Sequence, residues 1–203
     1  MIVKCRPFLL FQCAPSGRIF LLENFIEKMI YMYHKTTQKL ILLAIMIAID
    51  FILSPLFRIE GMAPMSSVIN IIGALAMGPL YVTLMASICG ILRMLLLGIP
   101  PLALTGAIFG ALCAGSLAKF WPKHRFWGAT LGEIVGTGII GSLLSYPVMV
   151  WFTGQRSQLF WLVYTPRFIG ATLIGSLIAG LVLSRLSRVS SFIKMQKLFG
   201  VIR

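Results

Sequence analysis

The chain has 203 residues, of which 59% are hydrophobic and 11% charged, with a mean hydropathy of +0.95. A soluble domain carries about 25% charged residues, so this composition excludes an ordinary water-soluble fold and points to a membrane protein. The net charge of +13 excludes nucleic-acid binding by its placement: +12 of it lies in residues 1–39, 119–125 and 185–203, between apolar runs, so no basic face remains for a duplex or single strand.

Residues 1–31 match the rest poorly. Phe8 to Ala14 is too short and interrupted for a secretory signal. The expectation is a disordered leader, or translation starting at Met29 or Met32, which an intact-mass measurement would decide. Cys5, Cys13, Cys89 and Cys113 show no metal or redox spacing, and Cys89 and Cys113 read as small packing residues.

From Leu40 the apolar runs follow one another. The first ends at Phe57 and is broken only by Asp50. A polar loop of residues 58–65 leads to a run from Val68 to Ile99 that is too long for one straight span of a ~30 Å hydrocarbon core. Gly78-Pro79 is the break signal inside it. Pro100-Pro101 ends that run, and Leu104–Ala118 follows. After the basic loop 119–125 come Trp127–Phe152 and Leu159–Leu183. Basic segments stay on the cytoplasmic side, so an even number of spans must separate the N-terminal segment from loop 119–125. Splitting at Gly78-Pro79 satisfies that parity. The expected fold is therefore an all-α membrane protein with six transmembrane helices, at about 39–57, 66–78, 80–98, 104–118, 127–152 and 159–184, and both termini cytoplasmic. The alternative is a re-entrant second segment. Residues 32–186 form the one membrane domain, and residues 187–203 read as a basic amphipathic tail lying on the cytoplasmic leaflet.

Helices in lipid associate through close approach of small residues. Ala44-x-x-x-Ala48, Gly106-x-x-x-Gly110 and the series Gly128, Gly132, Gly136 supply such stripes. The default for all three is packing within the bundle, most clearly for the fifth helix. The Ala44/Ala48 stripe is also suited to docking another subunit.

Ionisable and polar residues inside spans are site candidates. Counting ~1.5 Å per residue from the cytoplasmic surface puts Asp50, Arg167, Arg93, Asn70 and Tyr164 at roughly 16–20 Å. Thr137 and Ser142 fall near ~15 and ~22 Å, and Glu133 lower, at about 9 Å. The upper layer lines a small-molecule pocket, or else Asp50 pairs with Arg93 or Arg167 to hold the bundle. No phosphate-binding loop is present, and the two histidines lie in polar segments, so the chain carries no sign of ATP hydrolysis, catalysis or metal binding.

Several ordered pieces resemble a known family. They are Ala44-x-x-x-Ala48, Ser54-Pro55-Leu56-Phe57, Pro64-Met65, Ile69-Asn70, Gly78-Pro79-x-Tyr81, Arg93 and Phe109-Gly110-Ala111. The most specific is Gly132-Glu133-x-x-Gly136-Thr137-Gly138-x-x-Gly141, running on to Tyr146-Pro147-Val148. On these residues 39–186 resemble the S components of energy-coupling factor (ECF) transporters, of the ThiW type. The resemblance implies a six-helix substrate-binding subunit in the bacterial plasma membrane, with a pocket facing outward under the loop after the first helix. It implies docking of the Ala44/Ala48 face to a transmembrane coupling subunit (T component) driven by two ATPase subunits. ATP is then used by the partners, and this chain binds no cofactor. The implied ligand is hydroxyethylthiazole, a thiamine precursor. Asn70, Arg93, Glu133 and Thr137 are the candidate polar contacts, and Tyr146, Trp151 and Tyr164 the candidate stacking residues. The chain departs from the family pattern at Ser66-Ser67, Met94 and Gly98-Ile99-Pro100-Pro101, near the pocket mouth. A stand-alone ion-coupled carrier, a membrane scaffold and an S component for another precursor are the alternatives. Carriers of the first kind usually show inverted repeats, and none is visible here.

Overall fold

A computed structural model describes residues 18–58, 63–154 and 160–202. The chain divides into two units, residues 1–38 and 39–203. In the first, the described residues are helical, and Thr37 donates a hydrogen bond to the Tyr33 carbonyl at 2.9 Å. The expected leader lies in this unit; its residues 1–17 fall outside the described residues, and residues 18–31 belong to a helix.

Helices account for nearly all of the described residues. They are α1 (Arg18–Leu56), α2 (Pro64–Met77), α3 (Pro79–Leu97), α4 (Leu102–Phe120), α5 (Arg125–Glu133), α6 (Ser142–Thr153), α7 (Phe160–Leu186) and α8 (Ser190–Leu198). A wide π-helical stretch, Ile134–Gly141, joins α5 to α6, so the three run on as one membrane-length segment. Among the described residues, five segments are long and apolar enough to cross a bilayer. The sixth expected span, α2, has only 14 residues, ~21 Å at 1.5 Å per residue.

Helix α2 is the centre of the bundle. Nearly every one of its residues is buried, including Ile71, Ala74 and Ala76, whereas α1 keeps Leu40, Ile41, Ile45 and Ile52 exposed. The break at Gly78-Pro79 is where sequence places it: Gly78 sits at φ +79°, a conformation other residues rarely adopt, and Pro79 opens α3 where no amide hydrogen is needed.

The glycine series Gly128, Gly132 and Gly136, which runs from α5 into the π-helical stretch, packs inside the bundle, as expected. A methyl group at Gly128 would stand 2.7 Å from the Leu117 carbonyl oxygen, and at Gly132 and Gly136 it would overlap the carbonyls of Cys113 and Phe109. Glycines on one helix thus meet the backbone of α4 turn by turn, allowing the contact that replaces hydrophobic driving force in lipid. Ala44 and Ala48 differ: both are exposed on α1, while Leu43, Met46 and Asp50 face inward.

The tail helix α8 docks on the bundle. Phe192 is buried, and Gln196 donates to the Leu75 carbonyl at 3.0 Å, satisfying one of the acceptors left open at the end of α2. Phe199 meets the Tyr81 ring edge-on at 4.8 Å, and Lys39 lies over both rings. Lys119, Arg125, Phe199 and Gly78 line one hollow, so the α4–α5 loop, the α2–α3 break and the tail share one end of the bundle.

Candidate functional site: a polar cavity at the α2–α4–α5 junction

The opposite end of the bundle holds a partly enclosed cavity. Pro55 and Arg58 from the end of α1, Ala63 before α2, and Ile99 and Pro100 between α3 and α4 lie at its mouth. Gly106, Ala107, Phe168 and Ala171 form apolar walls. Ser67, Asn70, Glu133 and Thr137 supply its buried polar side. The centre of a water-sized sphere can move through ≈ 80 Å³ of it. One water needs about 10–15 Å³ by this measure, so the space suits a small molecule of several heavy atoms.

Glu133 organises the polar side. It ends α5, with Thr137 four residues on in the π-helical stretch. Thr137 Oγ1 donates to Glu133 Oε1 at 2.9 Å and lies 3.0 Å from the Gly106 carbonyl oxygen. Asn70 Nδ2, from α2, approaches the same Oε1 at 3.3 Å and the Ala107 carbonyl at 3.4 Å. Glycine at 110 makes room for this: a methyl there would run into Thr137 Oγ1 and stand 2.8 Å from Glu133 Oε2. Widened turns of this kind occur often at functional sites, since they break the regular helix pattern.

Glu133 thus joins Asn70, where counting along straight helices separates them by about 11 Å. That ruler starts each segment at a membrane surface. Helix α2 is short and enclosed by protein, so its residues are not tied to that surface, and Asn70 reaches the level of α5.

Arg93 and Asp50 form the ion pair named as the alternative to a pocket role. Arg93 Nη2 lies 2.6 Å from Asp50 Oδ2 and donates to the Asp50 carbonyl at 3.0 Å, both residues being almost fully buried. Nη1 reaches Ser66 Oγ at 3.4 Å. Arg93 therefore ties α1, α2 and α3 together and also lines the cavity. The loop expected to cover the pocket includes residues 59–62, which lie outside the described residues.

The expected stacking residues stand elsewhere. Tyr146 and Tyr164 pack with Leu102, Met149 and Phe168, and neither is among the lining residues. Trp151 is 82% exposed against Phe152, away from the cavity. The aromatic wall is Phe168, one turn beyond Tyr164 on α7. Sequence reasoning missed it because depth was counted without the face each residue occupies. The spacing 164, 168 was the available signal. Ser54 was also missed, although it sits in the Ser54-Pro55 motif; Ser66, Ser67, Ile99 and Pro100, the departures from the family pattern, do line the cavity.

Residues 40–189 match the family described as Thiamine-precursor transporter protein (ThiW). The chain belongs to the ThiW family. Comparison with curated proteins and with solved structures finds no match. Family and apolar helices together make this ThiW-family chain a multi-pass membrane transport protein for a thiamine precursor.

Proposed function

We propose that the chain is the substrate-binding subunit of an ECF-type importer, which captures hydroxyethylthiazole outside a bacterial cell and hands it to partner subunits. The observation that carries this is the small polar cavity built by Asn70, Glu133 and Thr137 inside a ThiW-family bundle. Its size and mixed lining suit a small neutral alcohol with one ring: apolar walls for the ring, a few polar atoms for orientation. The bundle crosses the plasma membrane six times with both ends cytoplasmic. Grouping of Lys119, Arg125 and the basic tail at one end, with the cavity mouth at the other, supports that orientation. The exposed Ala44/Ala48 face docks a T component driven by two ATPases; the chain itself binds no cofactor and catalyses no reaction.

The test is titration of the purified, detergent-solubilised chain with hydroxyethylthiazole, followed by tryptophan fluorescence and calorimetry. Saturable binding that thiamine does not compete for is expected. Flux of the same compound through proteoliposomes containing this chain alone, without ATP, would favour a stand-alone carrier and sink the subunit reading.

A further inference from the structure

We infer that the hollow between the α2–α3 break, the end of α4 and the tail is a site for the phosphate of an anionic phospholipid, held by Arg125 and Lys119. The inference needs this end of the bundle to meet a membrane surface. It does not depend on which compound is transported.

Arg125 opens α5 and is half-buried. It lines two hollows at once. Met77, Pro79, Leu80, Lys119 and the tail's Phe199 and Val201 line the first. Leu75, Phe126 and the tail's Phe192 line the second. The Arg125 guanidinium has no hydrogen bond or ion pair among the described residues. Lys39 adds a third charge beside the first hollow. Its Nζ lies 5.7 Å from the centre of the Tyr81 ring and 5.8 Å from that of Phe199, and both rings are lining residues.

The unit supplies no counter-ion for this end. Residues 39–203 hold three acidic side chains, Asp50, Glu60 and Glu133. Asp50 is paired with Arg93, and Glu133 is enclosed at the cavity described above. Glu60 follows Arg58, which lines that same cavity. A charge drawn partly out of water without a partner is unfavourable, and an anion entering the hollow relieves it.

The surroundings favour a lipid over a soluble anion. Phe120, Trp121 and Trp127 are exposed and flank the two cations in sequence, and Leu80 is exposed on the rim. Exposed aromatic side chains of this kind sit at headgroup level. Met77, Pro79 and Leu80 give the hollow an apolar side opposite its cations, which suits a glycerol ester joined to a phosphate. Basic hollows between helices at such a surface take anionic headgroups. The centre of a water-sized sphere can move through ≈ 310 Å³ here, against about 10–15 Å³ for one water. Phe199, Gly200 and Val201 form one wall, so a bound lipid fastens the tail to the bundle.

The test follows the melting temperature of the purified full chain in neutral detergent. Three additives are titrated: dihexanoyl phosphatidylglycerol, the phosphatidylcholine with the same chains, and glycerol 3-phosphate. A saturable rise with phosphatidylglycerol alone is expected. An equal rise with phosphatidylcholine overturns the charge recognition, and an equal rise with glycerol 3-phosphate overturns the lipid as its source. Lys119→Gln with Arg125→Gln should weaken the phosphatidylglycerol effect on the order of 25-fold, about fivefold for each charge removed. Arg188→Gln with Lys194→Gln removes the same charge from exposed positions that do not line the hollow, and should stay within about twofold of the parent chain. Equal weakening by the two pairs would reduce the site to diffuse surface charge and overturn it. Should the first pair fail to fold, Lys119→Gln alone, at an exposed position, takes its place; about fivefold weakening upholds the site and unchanged affinity overturns it.

Discussion

Arg93 and Asp50 share a contact of 2.6 Å with almost no exposure, and Arg93 also reaches Ser66 beyond the α1–α2 loop. Removing one partner of such a pair strands a charge in a low-dielectric interior, whereas removing both can be nearly neutral. Arg93→Met is therefore expected to destabilise the chain by about 3–5 kcal/mol. Combining it with Asp50→Leu should restore much of that loss. Thermal melts in detergent give the comparison, and a double variant no better than the single one would show that the pair is not what holds these helices. The same residue illustrates what sequence can tell: Arg93 and Asp50 are legible as intramembrane charges at one depth, and their pairing was one of two readings left open. Depth along a helix does not fix the direction of a side chain around it, and that second coordinate decides between pairing and facing a ligand.

At the scale of elements, the glycine series running from α5 into the π-helical stretch was readable because spacing by four on a helix is itself geometry. Substitution should reveal which neighbour it meets. A methyl at Gly132 runs into the backbone of Cys113 and Ala114, which cannot rotate away. Gly132→Ala is expected to cost about 1–3 kcal/mol through helix separation. Gly138→Ala, whose methyl would stand 3.3 Å from the movable Ile169 side chain, should cost less. Equal melting temperatures for the two variants would contradict this packing account. The π-helical stretch was not readable. Widening a helix depends on whether the partner helix accepts the altered register, as α4 does here with Gly106 and Gly110, and no local spacing encodes that.

For the whole molecule, order and length of the helices were largely legible, because runs of apolar residues and a Gly-Pro break are local signals. How α2 sits was not: burial on all sides is a property of its neighbours. The exposed Ala44/Ala48 face leads to the remaining expectation. Ala44→Trp with Ala48→Trp should abolish uptake in cells expressing the partner subunits, yet leave ligand affinity within about twofold, since exposed substitutions away from a site have small effects. Loss of binding in a folded double variant would remove that face from partner docking.

Helix α2 also constrains how the protein is made. At 14 residues it is shorter than the hydrocarbon core, and its polar atoms, Asn70 and two serines among them, are unsuited to meeting lipid. A segment like this cannot be left in the bilayer as an independent helix while the rest of the chain emerges from the ribosome. Its neighbours α4 and α7 are synthesised after it. Membrane integration of this protein is therefore not one helix at a time in chain order: α2 reaches its final place only when later helices have arrived to enclose it.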